Sequence, residues 1–331
     1  MKERLKSLLR PTYHWVKSVG LYPYSRRVVS NYAKHYQESR RLFEAERDGR
    51  SGPPPLSELR ARVLRPNGRD GLIGLPPNYT DLVGRIAKDV AAKFQVARNC
   101  RFFPQLFPKI EPSNLPERTD EIPAVRNGEA ITAQLKTWLE IDRLDELCAA
   151  LLPSLEEKVF GSHLLLEKIY IYRSLMSRLE GQVSWTWHYD NHPKEIRKLM
   201  IYLTDVDEDS GPLTYLRSTR TGEPRWMVAR PLLGYSRVSE KMIRSFLDSG
   251  DEPTPVTGPA GTLILFEENI VHRAIVAKKR VRDVLVLQIR PCTTRPERVI
   301  DPRSTGSFEH RDFNPNPWDT RTWPKKKMLS A

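Results

Sequence analysis

His188 and Asp190 stand two residues apart in "SWTWHYDNHPKEIRKLMIYLTDVDEDSGPL", the run from Ser184 to Leu213. A histidine and a carboxylate at that spacing suit a metal clip, a structural hydrogen bond or a chance pairing. Side chains alternate faces along a strand. In an extended run, Ser184, Thr186, His188 and Asp190 therefore share one face, and Val183, Trp185, Trp187 and Tyr189 the other. The polar face would point to whatever interior the sheet encloses, and the aromatic face would pack against helices. A helical rival would pair His188 with His192, but Pro193 and the β-forming residues before it oppose a helix there. Taken alone, the pair reads more readily as hydrogen-bonded than as ligating.

A site of two histidines and one carboxylate needs a distant third ligand and leaves positions open for substrate and oxygen. His272 supplies it, 82 residues beyond Asp190, in "GPAGTLILFEENIVHRAIV". Gly258 and Gly261 open one strand there and His272 begins the next. Ten residues later Arg282 opens "RDVLVLQIR". A guanidinium fork is a bidentate partner for a carboxylate, which a 2-oxo acid co-substrate would present.

Several elements must bring these residues together. Arg26–Arg47 reads as a basic helix stopped by "DGRSGPPPL". A second helix is expected in "YTDLVGRIAKDVAAKFQVA", where Leu82, Ile86, Val90 and Phe94 recur every four residues. After a proline-punctuated loop, "EAITAQLKTWLEIDRLDELCAALL" predicts a long amphipathic helix through Leu135, Trp138, Leu144, Leu147 and Leu151. From about residue 163 the texture becomes β-rich: "HLLLEKIYIYR", "VSWTWHYD", "KLMIYLTDV", "GTLILF", "IVHRAIV" and "RDVLVLQIR". Helices first and strands later, without βαβ alternation, predict a mainly β core, a jelly roll or β-sandwich, with an N-terminal and peripheral helical layer. An insertion over 214–257, containing the helix "SEKMIRSFLDSG", is placed to cover a site.

Composition narrows the class. The chain has 331 residues, 39% hydrophobic and 29% charged, which supports a packed core. Its 3 cysteines, Cys100, Cys148 and Cys292, exclude a disulfide framework and a cysteine-based zinc site. They fit a reducing, cytoplasmic compartment. No apolar run approaches the roughly 18–20 residues of a membrane-spanning helix, and the basic N-terminus is too interrupted for a signal peptide. Residues 1–70 hold 16 Lys/Arg and 7 Asp/Glu, so +9 of the net +13 lies there. That segment suits peripheral contact with an anionic membrane or an acidic carrier, and equally a solvated exterior. No specific nucleic-acid partner is expected, because no aromatic-plus-basic motif lies near the ligand strands. His14, His35 and His310 read as surface residues, His163 as structural, and His192 as either a partner of the ligands or exposed. Arg290 shares the strand parity of Arg282 and reads as a surface ion pair before an anion binder. Trp185, Trp187 and Trp226 read as core or lid aromatics.

Together "WHYD", "KLMIYLTDVDEDSGPLTYL", "GTLILFEENIVHRA" and "RVRDVLVLQIRP" resemble the Fe(II)/2-oxoglutarate-dependent oxygenases, and most of all the phytanoyl-CoA dioxygenase family. The resemblance covers residues 165–291. It implies a double-stranded β-helix, Fe(II) on His188, Asp190 and His272, and Arg282 on the distal carboxylate of 2-oxoglutarate. It also implies a co-substrate contact for Tyr202. The reaction implied uses O2, converts 2-oxoglutarate to succinate and CO2, and by default hydroxylates a C–H bond of a small organic or lipid-like substrate. Retention of Asp190 disfavours halogenation. Where the family often has a Pro-Gly-Ser-His turn, this chain reads "RSTRTG". The expected organisation is a basic helical extension over 1–70, an oxygenase domain over 71–300 and an irregular tail over 301–331. Within the domain, helices occupy 80–155 and the jelly-roll core 160–291. The competing readings are a cupin-like metalloenzyme that does not use 2-oxoglutarate, and an inactive jelly roll that binds RNA or membrane through its basic N-terminus.

Overall fold

The alternating runs of the C-terminal half pair with one another across two sheets. The computed structural model describes residues 22–47, 60–64, 72–103, 114–129, 131–178, 185–228 and 237–296. Helix α1 (Tyr22–Arg47) precedes β1 (Arg60–Leu64), β2 (Leu72–Gly74), α2 (Tyr79–Gln95), β3 (Cys100–Phe103) and β4 (Thr132–Leu135). Helix α3 (Leu144–Leu155) leads into β5 (His163–Ser174), β6 (Arg197–Tyr202) and β7 (Leu213–Ser218). Then come α4 (Glu240–Asp248), β8 (Asp251–Val256), β9 (Leu263–Glu267), β10 (His272–Ala274) and β11 (Arg282–Cys292).

Among the described residues, one sheet has the strand order β2-β1-β9-β6-β11-β5-β4-β3 and a smaller one the order β10-β7-β8. All neighbours are antiparallel except β1 and β9. From β5 onward the chain passes back and forth between the sheets, which is the expected jelly roll, or double-stranded β-helix. The period-two pattern then explains two cores. Leu199, Ile201, Leu285 and Leu287 face the helical layer, meeting Ile86, Val90 and Phe94 of α2 and Leu147 and Leu151 of α3. Met200, Tyr202, Val284 and Val286 face the other way, toward Leu213, Tyr215 and Val256 of the small sheet. Burying each such aliphatic side chain contributes about 1.5–3 kcal/mol, so a register slip of one residue would exchange both cores.

Several expectations need correction. The long helix expected after Glu129 is two elements. Thr132–Leu135 is a strand zipped between β3 and β5, and α3 starts only at Leu144, after Arg143 in a left-handed conformation (φ 59°). Tertiary pairing outweighs helix propensity there. The run "VSWTWHYD" is no continuous strand. Residues 183 and 184 lie outside the described residues, and His188 joins the small sheet through a single bridge to His272. The insertion is shorter than 214–257, because its ends are the paired strands β7 and β8. The boundary at residue 70 also cuts a sheet: β1, at 60–64, pairs with β9.

Helix α1 packs on the same sheet, with the Tyr36 hydroxyl donating to the Phe160 carbonyl at 2.8 Å. His35 is therefore half-buried rather than on the surface, and burial lowers its pKa to about 4. His163 is structural as expected, fully buried and 3.0 Å from Glu46. Arg290 is not a surface residue: it is 1% exposed and lies 3.8 Å from the buried Glu167. His14 and His310 fall outside the described residues, as do the "DGRSGPPPL" stop and the C-terminal tail.

Gly211, in the turn before β7, has φ +75°, and a Cβ there would stand 2.5 Å from the Ile275 carbonyl oxygen. Both the left-handed backbone and the contact with main chain oppose a side chain. Gly211→Ala is expected to cost about 2 kcal/mol or more of stability, measured by urea denaturation. Unchanged stability would show that the turn relaxes.

Candidate metal centre

The bridge that replaces the expected strand is what aligns the ligands. His188 and His272 exchange main-chain N–H···O bonds of 2.9 Å in both directions, and Asp190 N–H donates to the Glu268 carbonyl at 2.8 Å. The segment carrying "WHYD" is thereby zipped to the turn between β9 and β10. His188 Nε2 lies 3.9 Å from Asp190 Oδ1, and His272 Nε2 lies 3.7 Å from Asp190 Oδ2. One ligand atom from each residue falls within 4.8 Å of the other two.

The tautomers suit ligation. His188 Nδ1–H donates to the Thr186 carbonyl and His272 Nδ1–H to the Ile270 carbonyl, each at 2.8 Å. A carbonyl accepts only, so each Nε2 is left with its lone pair directed at the partner ligands. Burial disfavours the imidazolium, lowering the His188 pKa to about 3 and lowering that of His272 against the pull of Asp190. For Asp190, burial raises the pKa, but the Lys198 ammonium outweighs it and holds the carboxyl ionised. Two neutral imidazoles and one carboxylate are the donors that a ferrous ion takes in a facial site.

Asp190 belongs to a buried charged cluster. Lys198 Nζ donates to Asp190 Oδ2 at 2.6 Å and lies 3.6 Å from Glu268 Oε2. Glu268, fully buried, also meets His192 Nδ1. Burial works against the charged form of each, yet their partners prevail. The pKa values of Lys198 and His192 are raised, and that of Glu268 is lowered. Two carboxylates thus face two cations. Asn269 clamps the arrangement: its Oδ1 accepts from His192 N–H at 3.1 Å, and its Nδ2 donates to the His192 carbonyl at 2.7 Å. His192 is therefore a partner within this cluster and not an exposed residue.

Arg282 reaches the same cavity from β11. It is 1% exposed, and its Nη2 donates to Ser174 Oγ at 3.2 Å. Its Nε and Nη1 are buried without a hydrogen-bond partner. Two unmet guanidinium donors in a buried site are what an incoming carboxylate would satisfy. The neighbouring Asp283 faces the helical core and is gripped by Arg173 through two 2.7 Å hydrogen bonds. That fork fixes the end of β11 and so the direction of Arg282. Tyr202 stands differently from the expected direct contact. Its hydroxyl donates to the Val256 carbonyl at 2.8 Å and accepts from Leu213 N–H at 3.3 Å, and it does not line the cavity. Its hydroxyl also lies against the Arg282 guanidinium, whose charge opposes the rise that burial gives its pKa.

The cavity, about 440 Å³, is lined by His188, Asp190, His272 and Arg282 together with Tyr170, Met200, Phe266 and Val286. Trp185 lines it as well, although strict alternation would put that ring on the opposite face, because the backbone at Trp185 is a tight turn instead of a strand. Trp187 does turn away, toward Ile243 and Phe246 of α4. Lys198 and Arg237 also line the cavity and were not among the residues the sequence singled out. Lys198 had a signal: it shares strand parity with Met200, whose face is the interior. Glu268 and Asn269 had none, since they act from a turn.

The search of curated proteins finds no match. Solved structures give distant similarities. The match to HygX from Streptomyces hygroscopicus, solved with nickel, 2-oxoglutarate and hygromycin B, is 15% identical, covers 50% of this chain and 71% of that one, and has a TM-score of 0.33. EctD from S. alaskensis with bound Fe gives 16% identity, 68% and 76% coverage, and a TM-score of 0.35. EvdMO1 gives 19%, 45% of this chain but only 30% of its own, and 0.29. Residues 118–275, which carry His188, Asp190 and His272, match the family model described as Phytanoyl-CoA dioxygenase (PhyH). Over this segment the chain is similar to the phytanoyl-CoA dioxygenase family of Fe(II)/2-oxoglutarate-dependent oxygenases.

Proposed function

We propose that the chain is a non-haem Fe(II)- and 2-oxoglutarate-dependent dioxygenase that hydroxylates a C–H bond of a small organic or lipid-like substrate. The observation that carries this reading is the coincidence, in one cavity, of a His188–Asp190–His272 donor set and an Arg282 guanidinium with two unmet donors. His188, Asp190 and His272 would hold Fe(II), which when bound supplies the oxygen-activating chemistry with 2-oxoglutarate as co-substrate. The protein's own residues bind and orient. Arg282 takes the distal carboxylate of 2-oxoglutarate. Lys198 engages Asp190 Oδ2 and fixes the rotation of the carboxylate. Tyr170, Met200 and Phe266 give the cavity an apolar wall that excludes water from the reacting groups.

The test is succinate release from purified protein with Fe(II), 2-oxoglutarate and a panel of candidate substrates. Arg282→Gln should weaken 2-oxoglutarate binding about 100-fold, the effect of losing two charge-assisted hydrogen bonds, while Fe(II) affinity stays within threefold. If 2-oxoglutarate binds Arg282→Gln as tightly as wild type, the carboxylate assignment is wrong and the cupin-like reading takes its place.

A further inference from the structure

Arg282 answers one carboxylate, but the cavity holds a second guanidinium. Arg237, paired through its main chain with His188, lines the metal cavity, where the carboxylate it feels is that of Asp190, itself held by Lys198 at 2.6 Å. Beyond Trp185 lies a second cavity of about 680 Å³, and both Trp185 and Ala274 line the two. The segment from Arg237 to Arg244 also runs along both, with Arg237 on the first and Val238, Glu240 and Arg244 on the second.

The charge of the second cavity is one-sided. Among the described residues, Arg178, Arg244, Arg273 and Lys278 line it, and Glu240 is the one carboxylate that does. Glu240 is 3.8 Å from Arg244, with side-chain exposures of 93% and 78% for the pair, so solvent screens that contact. Arg273 is held in place by stacking, its guanidinium carbon 4.5 Å from the centre of the Trp187 ring. A groove lined by cations beside a redox-metal cavity raises the local concentration of anions, and its size suits one small molecule.

We propose that the two cavities form one site for an anionic primary substrate. Its carboxylate or phosphate oxygens are met by Arg237 and the cations beyond Trp185, and its apolar portion lies against the metal cavity. The term substrate rests on the oxygenase reading above; the anion rests on the charges of the groove.

The test uses the full chain without added metal. Inorganic pyrophosphate and tricarballylate, one phosphate and one carboxylate probe, are titrated calorimetrically at fixed ionic strength. Saturable binding is expected, weakened about tenfold in Arg237→Gln and again about tenfold in the double variant Arg178→Gln/Arg244→Gln. Arg282→Gln should leave pyrophosphate binding unchanged. The tighter probe identifies the oxyanion class. Absence of binding, equal binding in all variants, or loss confined to Arg282→Gln would each overturn the proposal, the last by placing the anion at the 2-oxoglutarate carboxylate position. All the replaced groove side chains are exposed, and unchanged circular dichroism controls for folding. Groove binding in a protein that fails to bind 2-oxoglutarate would retain the anion site and discard the oxygenase reading. The converse result would do the opposite.

Discussion

His272→Ala is expected to lower Fe(II) affinity by well over 100-fold while the chain remains folded. Losing an outer partner of a metal ligand already costs about 10–100-fold, and losing the ligand removes a coordination bond as well. Folding should survive because β10 is held by its main chain, which pairs with His188 and with β7, and not by the imidazole. The imidazole adds a local hydrogen bond to Ile270 and contacts with Asp190 and the rings of His188 and Phe266, none of which pairs strands. Anaerobic competition against a chromophoric chelator measures the affinity, and circular dichroism checks the fold. Retention of affinity within tenfold would place the metal somewhere other than on this triad.

Glu268→Ala is expected to destabilise the protein by about 3–5 kcal/mol, the usual consequence of removing one member of a buried ion pair. The reason lies in the charge balance around Asp190. Lys198 and His192 are buried against Asp190 and Glu268, and removing the second carboxylate leaves two cations with one. Glu268→Gln should recover part of the loss by keeping a hydrogen-bond acceptor. Urea denaturation gives the comparison. A loss under 1 kcal/mol would mean that water or a proton shift compensates the cluster, and that the cluster does not hold Asp190 in place.

The legibility of this protein in its sequence follows from where each feature is encoded. Strands β5, β6, β9 and β11 announce themselves because buried runs of Leu, Ile and Val have no other stable arrangement once helices are excluded by length and β-branching. The three residues whose donor atoms meet, His188, Asp190 and His272, could be picked out because they belong to runs whose order is specific, and Arg282 because it starts the last strand. The helix expected over Glu129–Leu152 failed at Thr132–Leu135, where the 3.6-residue pattern is genuine but the strands on either side supply stronger partners. Trp185 was misplaced because alternation was extended into a turn. Tyr202 has the right parity, yet depth along the strand, which parity does not encode, puts its hydroxyl on main-chain partners. Glu268 and Asn269 matter through contacts with Lys198 and His192, some 70 residues earlier in the chain, and no local pattern carries such contacts.

The central claim is that His188, Asp190, His272 and Arg282 together bind Fe(II) and 2-oxoglutarate in one cavity. Its most direct measurement is the visible absorption of purified protein titrated anaerobically with Fe(II) and then with 2-oxoglutarate. A weak metal-to-ligand charge-transfer band that saturates with 2-oxoglutarate in wild type and is absent in His272→Ala is the result expected here. A folded wild-type protein that binds Fe(II) at these residues without developing the band would contradict it.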